Sequence, residues 1–501
     1  MRTLYTADYV LTMGPGNPVI PDGAVLVDGD RIIAVGSAAE FTAPAAEFTA
    51  PAGLAAPGPA GALGAQDAEV KPLPGRLLLP GLVNTHLHSG LLRGTAEQLP
   101  VWEWLRVHID PMHRVLRPEE AEAAAWLCYA EAILSGTTTV ADMWRYLDGA
   151  ARAATQLGNR LVTVNYTGAH QDHDYFDSPD DNERLLRTVH RTAGGRIDVW
   201  VGLEHPFYAD AAGLRRLIAM ARDYDTGLYT HCSESSIEPP EFERRYGRRP
   251  VFALDDLGFF TAPKAVIAHG VHLDAAEIAL LAQRRAGLAH NPVSNMKLAS
   301  GMAPVEECLA AGVPVGLGTD GEKENNNLDL FEDMKAASLL AKLRAMDAAA
   351  LDSWQVLRMA TAGGAAALRL DDQIGSLEPG KKADFIAVRT DTPRMTPLLG
   401  DGPYANLHHN LVHAVRGSDV DLVVVDGRPV AESGRLLHAD LAELIDRVRA
   451  LVPGLFERRA EYLAAHADTA PAAFSEQPAA ARPAPTGTTV EGHPERVRGS
   501  A

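Results

Sequence analysis

Short apolar runs alternate with amphipathic stretches through the middle of the chain. Eight runs have the length of buried strands, at residues 77–83, 137–141, 161–166, 199–203, 227–230, 265–268, 287–289 and 313–318. The segments between them predict helices: one begins at Pro118 with acids in its first turn, and another follows the capping-box pattern of Asp274 and Glu277. This alternation predicts a (β/α)8 barrel of the TIM type over residues 76–370, with its chemistry at the carboxyl ends of the strands.

Strand-like alternation returns on both sides of the predicted barrel. It covers residues 4–12, 24–27 and 32–35 before the barrel, and 383–388 and 420–425 after it. Asp-Gly pairs at Asp28 and Asp426 supply turn chemistry. We predict that residues 1–75 and 371–435 form one discontinuous β-sandwich beside the barrel.

Two stretches have low complexity. Residues 37–74 are dense in Ala, Pro and Gly and contain Ala-Glu-Phe-Thr-Ala-Pro-Ala twice, which predicts a mobile loop without a function. Residues 436–467 predict a helical segment. The Ala/Pro-rich residues 468–501 hold too few large apolar side chains to pack, and we predict a disordered tail there.

Charge and cysteine usage narrow the class of protein. A formal net charge of −19 argues against nucleic-acid binding, which needs a basic surface. Cys128, Cys232 and Cys308 lie far apart without a Cys-x-x-Cys motif, so neither a disulfide framework nor a thiolate metal site is indicated. A reducing, cytoplasmic location is expected. The sequence has no apolar span long enough for a bilayer, so no membrane association is expected.

Metal-binding residue types stand at four predicted strand ends. His86 and His88 end the first strand, and residues two apart in a strand point to one face. His231, His269 and Asp320 follow the fifth, sixth and eighth strands. A lone His269 or Asp320 would be interpreted as a helix cap or a satisfied polar residue. Jointly, imidazoles and a carboxylate at one barrel mouth predict a site for one divalent metal.

A set of motifs along the chain resembles one family. In order, they are Pro80-Gly-Leu-Val-Asn-Thr-His-Leu-His88, Leu91-Leu-Arg-Gly94, Trp104, Ser135-Gly-Thr-Thr-Thr139, His231-Cys-Ser-Glu234, Ala268-His-Gly270, His290-Asn-Pro-Val-Ser-Asn295, Gly316-Leu-Gly-Thr-Asp320, Gly375-Ser-Leu-Glu-Pro-Gly-Lys-Lys-Ala-Asp384 and Val425-Asp-Gly427. The chain resembles the amidohydrolase superfamily, in its cytosine/adenosine-deaminase-like and chlorohydrolase-like branch, which includes thioadenosine and adenosylhomocysteine deaminases.

The resemblance implies a hydrolase with a single catalytic metal. It implies His86, His88, His231 and Asp320 as ligands, with His269 near the reacting water. The fourth strand closes on Glu204-His205 rather than on a lysine that could be carboxylated to hold a second metal. Zinc is the expected ion, with iron(II) as the alternative, because both accept this set of ligands. Relatives usually pair, so a homo-oligomer, a dimer or larger, is expected.

Three side chains are candidates for catalysis. Asp320 can accept the proton of the attacking water, and His269 can orient the water and the developing oxyanion. Glu234 lies three residues after His231, and the resemblance implies that it protonates the ring nitrogen and then the leaving ammonia. Chloride leaves without a proton, so Glu234 favours deamination over dehalogenation.

Candidate substrate contacts are Trp104, His113, Glu204, Glu234 and Glu324. A gapless count places His113 where thioadenosine-type deaminases carry a glutamate for the ribose hydroxyls. Glu204 stands at the histidine of their Pro-His-Ser-Pro type motif. Both departures count against an adenosine-type substrate. Glu322 and Lys323, in the charged run after Asp320, are interpreted as solvated loop charges.

Three functions follow, in order of preference. The first is a metal-dependent hydrolytic deaminase of an aminated nitrogen heterocycle, such as a purine, pterin or nucleoside-like small molecule. The second is hydrolysis of another C–N or C–Cl bond, on a triazine- or guanidine-like substrate. The third is a scaffold without catalysis, which gives no physical reason to keep costly polar groups together in a core.

Overall fold

A computed structural model describes residues 2–42, 65–169 and 175–466. Within these ranges the strands are β1 Arg2–Leu11, β2 Val19–Asp28, β3 Arg31–Ser37, β4 Glu69–Pro80, β5 Leu82–Leu87, β6 Thr137–Trp144, β7 Arg160–Asn165, β8 Ile197–Gly202, β9 Gly227–Cys232, β10 Lys264–His269, β11 Gly287–His290, β12 Val315–Leu317, β13 Phe385–Arg389, β14 Val420–Val425, β15 Arg428–Glu432 and β16 Arg435–Leu436.

The α-helices span Ala38–Thr42, Val101–Trp104, Asp110–Val115, Pro118–Leu134, Leu147–Leu157, Pro179–Thr188, Thr192–Gly195, Ala211–Asp223, Glu238–Tyr246, Pro250–Asp256, Ala275–Arg284, Pro292–Lys297, Val305–Ala310, Leu330–Ala345, Ser353–Met359, Ala362–Ala367, Leu407–His413 and Leu441–Ala465. A π-helix covers Leu105–Ile109, and 3-10 turns cover Ala65–Asp67, Pro206–Tyr208, Phe259–Thr261, Pro393–Met395 and Gly417–Asp419. Within the described ranges, none of these helices combines the length and apolarity needed to span a membrane.

The barrel is an eight-stranded parallel sheet in the order β5 to β12. The ring closes between its first and last strands, where the Asp320 amide donates to the His86 carbonyl at 3.0 Å. All eight predicted runs contribute a strand to this sheet, and the expected barrel is confirmed. Nearly all residues of its strands are buried, polar ones such as Thr85 and Thr163 among them, because parallel strands covered by helices expose neither face.

The terminal segments form one mixed sheet of eight strands, in the order β16-β15-β14-β13-β4-β1-β2-β3. The sheet curls over its own core, in which the rings of Tyr5 and Phe385 meet edge to face at 4.9 Å. The curl brings two turns together, since a Cβ added at Gly427 would lie 2.0 Å from the Gly29 carbonyl oxygen. The predicted discontinuous β-unit therefore exists as a single curled sheet.

The first predicted barrel strand, residues 77–83, is divided between the two sheets. Leu77 to Pro80 belong to β4 in the composite sheet, and only Leu82 onwards belongs to the barrel. An unbroken apolar run could not reveal this division, because residues on both sides of Gly81 are fully buried. Gly81 is the crossing point, and a Cβ there would lie 2.1 Å from the Thr138 hydroxyl.

The predicted mobile loop, residues 37–74, is too long at both ends. Ala38–Thr42 is helical, and Phe41 packs into a small core with Leu4 and Leu26. Glu69 begins β4, which pairs in parallel with β1. The low-complexity composition of residues 37–74 gave no sign that both ends pack against the composite sheet. The duplicated segment beyond Thr42 and the predicted tail lie outside the described residues.

A buried charge cluster joins the barrel to the composite sheet. Arg160, at the start of β7, donates to Asp384 at 3.0 Å and to Asp426 at 2.7 Å. The three side chains are 5%, 2% and 9% exposed. Such a cluster fixes orientation, because each group would be costly to bury without its partners.

Candidate metal centre and active site

The predicted ligand residues meet at the carboxyl end of the barrel. His86 lies in β5 with His88 just beyond it, and His231 lies near the end of β9. Asp320 follows β12, the strand that closes the ring against β5. All four are at most 6% exposed, so the cluster lies inside the mouth and away from bulk water.

Their donor atoms have the spacing of a metal site. The Nε2 atom of His231 lies 3.2 Å from that of His86 and 3.1 Å from that of His88. Asp320 Oδ1 lies 3.5 Å from His86 Nε2 and 3.4 Å from His88 Nε2. In a tetrahedral zinc site with ligands ~2.1 Å from the ion, neighbouring donors lie about 3.4 Å apart.

The tautomers of His88 and His231 leave their Nε2 atoms free to bind a cation. His88 Nδ1 donates to the Met143 carbonyl at 2.6 Å, and His231 Nδ1 donates to the Glu204 carbonyl at 2.5 Å. Both Nε2 atoms therefore direct lone pairs at each other, which a cation between them would make favourable. His86 Nδ1 finds no hydrogen-bond partner among the described residues.

Burial keeps these imidazoles neutral, which is the metal-binding form. It lowers the pKa of His88 to about 4. For His86 and His231, burial and then the neighbouring histidines lower the pKa well below its usual value. Burial opposes ionisation of Asp320 as well, but the facing His269 and His88 outweigh it and hold the Asp320 pKa below its usual value.

His269 stands beside the cluster, at the end of β10. Its Nδ1 is 2.9 Å from Asn295 Oδ1, and its Nε2 lies 3.8 Å from Asp320 Oδ2 and 3.7 Å from Glu234 Oε2. Burial alone would lower the His269 pKa, but the carboxylates of Glu234 and Asp320 raise it above its usual value. Ser294 donates to Asp320 Oδ2 at 2.6 Å and holds that carboxylate in place.

The backbone adopts strained conformations at three residues that end or follow barrel strands at the mouth. Ser233, His269 and Asp320 have φ of 57°, 72° and 61°, a region that non-glycine residues rarely adopt. Such conformations persist only where the surrounding structure enforces them, and they cluster at functional sites.

Glu234 points into the same mouth. Its Oε1 accepts from the Ser300 hydroxyl at 3.1 Å, and its backbone N–H donates to Glu238 at 3.0 Å. Glu238 also accepts from the Ser235 N–H at 2.9 Å and pairs with His205 at 3.2 Å, so it fixes the turn after β9. Burial raises the pKa of Glu234 to about 7, against the opposing effect of His269.

One cavity is lined by three of the four cluster residues and by most predicted substrate contacts. It is lined by His88, Val101, Trp102, Trp104, Leu105, Tyr166, Glu204, His205, His231, Glu234, Glu238, His269, Leu298, Asp320 and Glu324. Trp104, Glu204 and Glu324 thus lie where the sequence analysis expected them. His113 does not line this cavity: it stacks on Tyr166 at 4.5 Å and lines a smaller neighbouring one.

Glu322 and Lys323 are not solvated charges, and that interpretation is wrong. They are 2% and 3% exposed. Glu322 accepts from the Leu92 N–H at 2.9 Å, and Lys323 Nζ lies 3.1 Å from Glu324 Oε1. The loop after Asp320 folds inwards, so its charges form pairs in the wall of the mouth.

Several supporting residues had no role in the sequence analysis. Ser294 and Asn295 lie in the His290–Asn295 motif, and this motif was the available signal. Ser300 and Glu238 had no comparable signal, because their contacts with Glu234 arise only when separate loops pack together.

The barrel and the histidine–aspartate cluster define a hydrolase of the (β/α)8 class with a candidate site for a divalent metal. The chain belongs to the amidohydrolase family, which it matches over residues 77–430. It is a hydrolytic deaminase that acts on a C–N bond of an aminated nitrogen heterocycle, in line with the relatives' names.

The chain is similar in sequence or structure to several named proteins. It is 38% identical over 377 residues to a 5-methylthioadenosine/S-adenosylhomocysteine deaminase of Syntrophomonas wolfei, covering 75% of this chain and 86% of that one. A zinc-bound adenosine deaminase structure from Xanthomonas campestris has a TM-score of 0.80 at 31% identity, covering 91% and 98% of the two chains. A zinc-bound atrazine chlorohydrolase of Arthrobacter aurescens has a TM-score of 0.75 at 26% identity, covering 90% and 100%.

Proposed function

We propose that this protein removes the exocyclic amino group of an adenosine-type nucleoside, using one zinc ion per chain. The names of the relatives support the substrate class, and the zinc in the structurally similar deaminase supports the metal. The observation that carries the proposal is the placement of Glu234 beside His269 in the same cavity as the donor cluster.

His86, His88, His231 and Asp320 would hold the ion, because their free lone pairs converge at the spacing that a tetrahedral cation requires. When bound, a divalent cation lowers the pKa of water towards ~7 and so supplies a hydroxide nucleophile at neutral pH.

Two side chains then exchange protons or hydrogen bonds with the attacking oxygen. Asp320 Oδ2, held by Ser294, accepts the proton that the water loses. His269 has its Nδ1 fixed by Asn295 and its Nε2 directed towards Asp320 and Glu234. It is placed to donate to the oxygen as negative charge develops on the tetrahedral carbon.

Glu234 carries the second proton path. It protonates the ring nitrogen next to the attacked carbon as the C–O bond forms. It then takes up the proton that Asp320 received from the water and passes it to the amino group, which leaves as ammonia. The hydroxyl proton, released as the carbon becomes a carbonyl, returns Glu234 to its acid form. A carboxyl group with a pKa of about 7 can both give and take a proton at neutral pH.

Hydrolysis of a triazine C–Cl or C–N bond is the second candidate, favoured by the likeness to the chlorohydrolase. The test is a screen of adenosine, 5′-deoxyadenosine and 5-methylthioadenosine for ammonia release, beside a chlorinated triazine assayed for chloride. We expect ammonia from at least one nucleoside and none from chelator-treated protein. Chloride release without nucleoside deamination would replace the proposal by the second candidate.

The proposal also includes a homo-oligomer in the cytoplasm. All three cysteines are free and buried, which suits a reducing compartment. Size-exclusion chromatography with light scattering tests the oligomer, and a monomer at micromolar concentration would contradict it.

A further inference from the structure

Five carboxylates line the catalytic cavity, and three of them have partners that account for them. Lining carboxylates are Glu204, Glu234, Glu238, Asp320 and Glu324. Asp320 belongs to the donor cluster, Glu234 faces His269, and Glu238 is satisfied by two backbone N–H groups and His205. Glu204 and Glu324 remain.

Each of these two has one carboxylate oxygen without a partner. Glu204 Oε1 accepts from the Tyr166 hydroxyl at 3.3 Å, and Glu324 Oε1 pairs with Lys323 at 3.1 Å. The Oε2 atoms of both find no hydrogen-bond partner among the described residues, although each side chain is only 4% exposed. A buried, unpartnered acceptor is costly, so a ligand that supplies a donor gains affinity.

Glu204 and Glu324 stand on opposite sides of the mouth. Glu204 follows β8 and Glu324 follows β12, and these strands are four apart in a ring of eight. Three of the four cluster donors lie on or just after β5 and β9, and the fourth, Asp320, follows β12. A heterocycle bound at the cluster therefore directs its substituents towards one or both carboxylates.

The described wall of the cavity carries no side chain of fixed positive charge. Among its described lining residues there is no arginine or lysine. Lys323 stands behind Glu324 and is already paired with it. A phosphate or carboxylate on the substrate would be buried between two carboxyl groups without a lysine or arginine as partner, and burying an unpaired charge is costly.

We propose that Glu204 and Glu324 are specificity residues that select nucleosides with hydroxyl or amino donors on the substituent and reject substituents ending in an anion. This inference rests on the proposed function and narrows its substrate class. It also gives a reason for Glu204 at the position where the thioadenosine-type motif carries a histidine.

The test compares kcat/KM for adenosine, adenosine 5′-monophosphate and 2′,3′-dideoxyadenosine in the wild type, Glu204→Gln and Glu324→Gln. Glu461→Gln is the matched control, since Glu461 is exposed on the C-terminal helix. Ratios between substrates within one preparation do not depend on the active fraction. Elemental analysis and melting temperature accompany each variant.

For the wild type we expect a preference of about 100-fold or more for adenosine over its monophosphate. The dideoxy compound should lose about 10- to 100-fold against adenosine, as expected for charge-assisted hydrogen bonds. At least one glutamine variant should shrink both ratios about tenfold, while the control keeps them.

Equal turnover of nucleoside and monophosphate by the wild type would overturn the inference and leave the deaminase proposal intact. Ratios within about twofold of the control in both variants would overturn it as well. Failure to deaminate any of the three compounds would refute the proposed substrate class itself, and the inference with it.

Discussion

Replacing Glu234 by glutamine isolates proton transfer from every other function of the site. The glutamine side chain has the same size, and its carbonyl oxygen can keep the 3.1 Å hydrogen bond from Ser300. The turn that carries residue 234 is held through its backbone N–H by Glu238, which the substitution does not touch. The substitution removes the ability to give and take a proton, together with the negative charge that raises the pKa of His269.

The expected size follows from the chemistry that remains. General acid–base help typically contributes about 10²- to 10⁴-fold, or ~3–5 kcal/mol in the activation free energy. The amino group cannot leave as an amide anion, so it must be protonated before the C–N bond breaks. We expect kcat to fall by at least about 10²-fold with KM little changed, because the glutamine side chain would still fit against His269 and Ser300.

The assay is steady-state ammonia release from the best nucleoside, on a preparation whose metal content is measured in parallel. Glu461→Gln serves as the control for charge loss at the surface. Turnover by Glu234→Gln within a few-fold of wild type, at full metal content, would remove Glu234 from catalysis. The proton path proposed above would then be wrong.

Three further predictions concern metal and stability. His86→Ala and Asp320→Ala should each leave purified protein depleted of metal by elemental analysis, because each removes a donor from the 3.1–3.5 Å cluster; full occupancy in both would refute the ligand set. Arg160→Ala should lower the free energy of unfolding in urea by ~3–5 kcal/mol, because it leaves Asp384 buried without its cation; a loss under ~1 kcal/mol would contradict this. Phe41→Ala should cost about 3 kcal/mol or somewhat more by the same method, since the ring packs in a closed core; an unchanged midpoint would show that the Ala38–Thr42 helix adds nothing to stability.

Much of the fold could be predicted from the sequence because barrel strands and helices differ in period. The Pro118–Leu134 helix begins at the predicted residue, and the Leu441–Ala465 helix lies within the predicted segment 436–467, since their signals are local. The division at Gly81 could not be predicted. Apolar residues in β4 and β5 are equally buried in two different sheets, and periodicity records burial without recording which sheet a strand joins.

The site shows the same division between local and assembled features. His86, His88, His231 and Asp320 could be predicted because each stands at a strand end, where the barrel geometry alone brings them together. The burial of Lys323 could not, because a charged run usually means a solvated loop. In the folded protein, the Lys323 ammonium group lies close to the Glu324 carboxylate and to the ring of Trp144. The Trp144 contact forms only when separate segments pack together.

The loop after Asp320 packs its charged residues closely against glycines. A Cβ at Gly321 would lie 2.1 Å from Glu324 Oε2, and one at Gly90 would lie 2.3 Å from Glu322 Oε1. Each buried carboxylate therefore fills space that a glycine leaves open, and the backbone approaches it closely. A solvated loop would have no need of such glycines. The charges are part of the wall that shapes the cavity, and one short, tightly packed segment holds both the proposed metal ligand Asp320 and the proposed recognition residue Glu324.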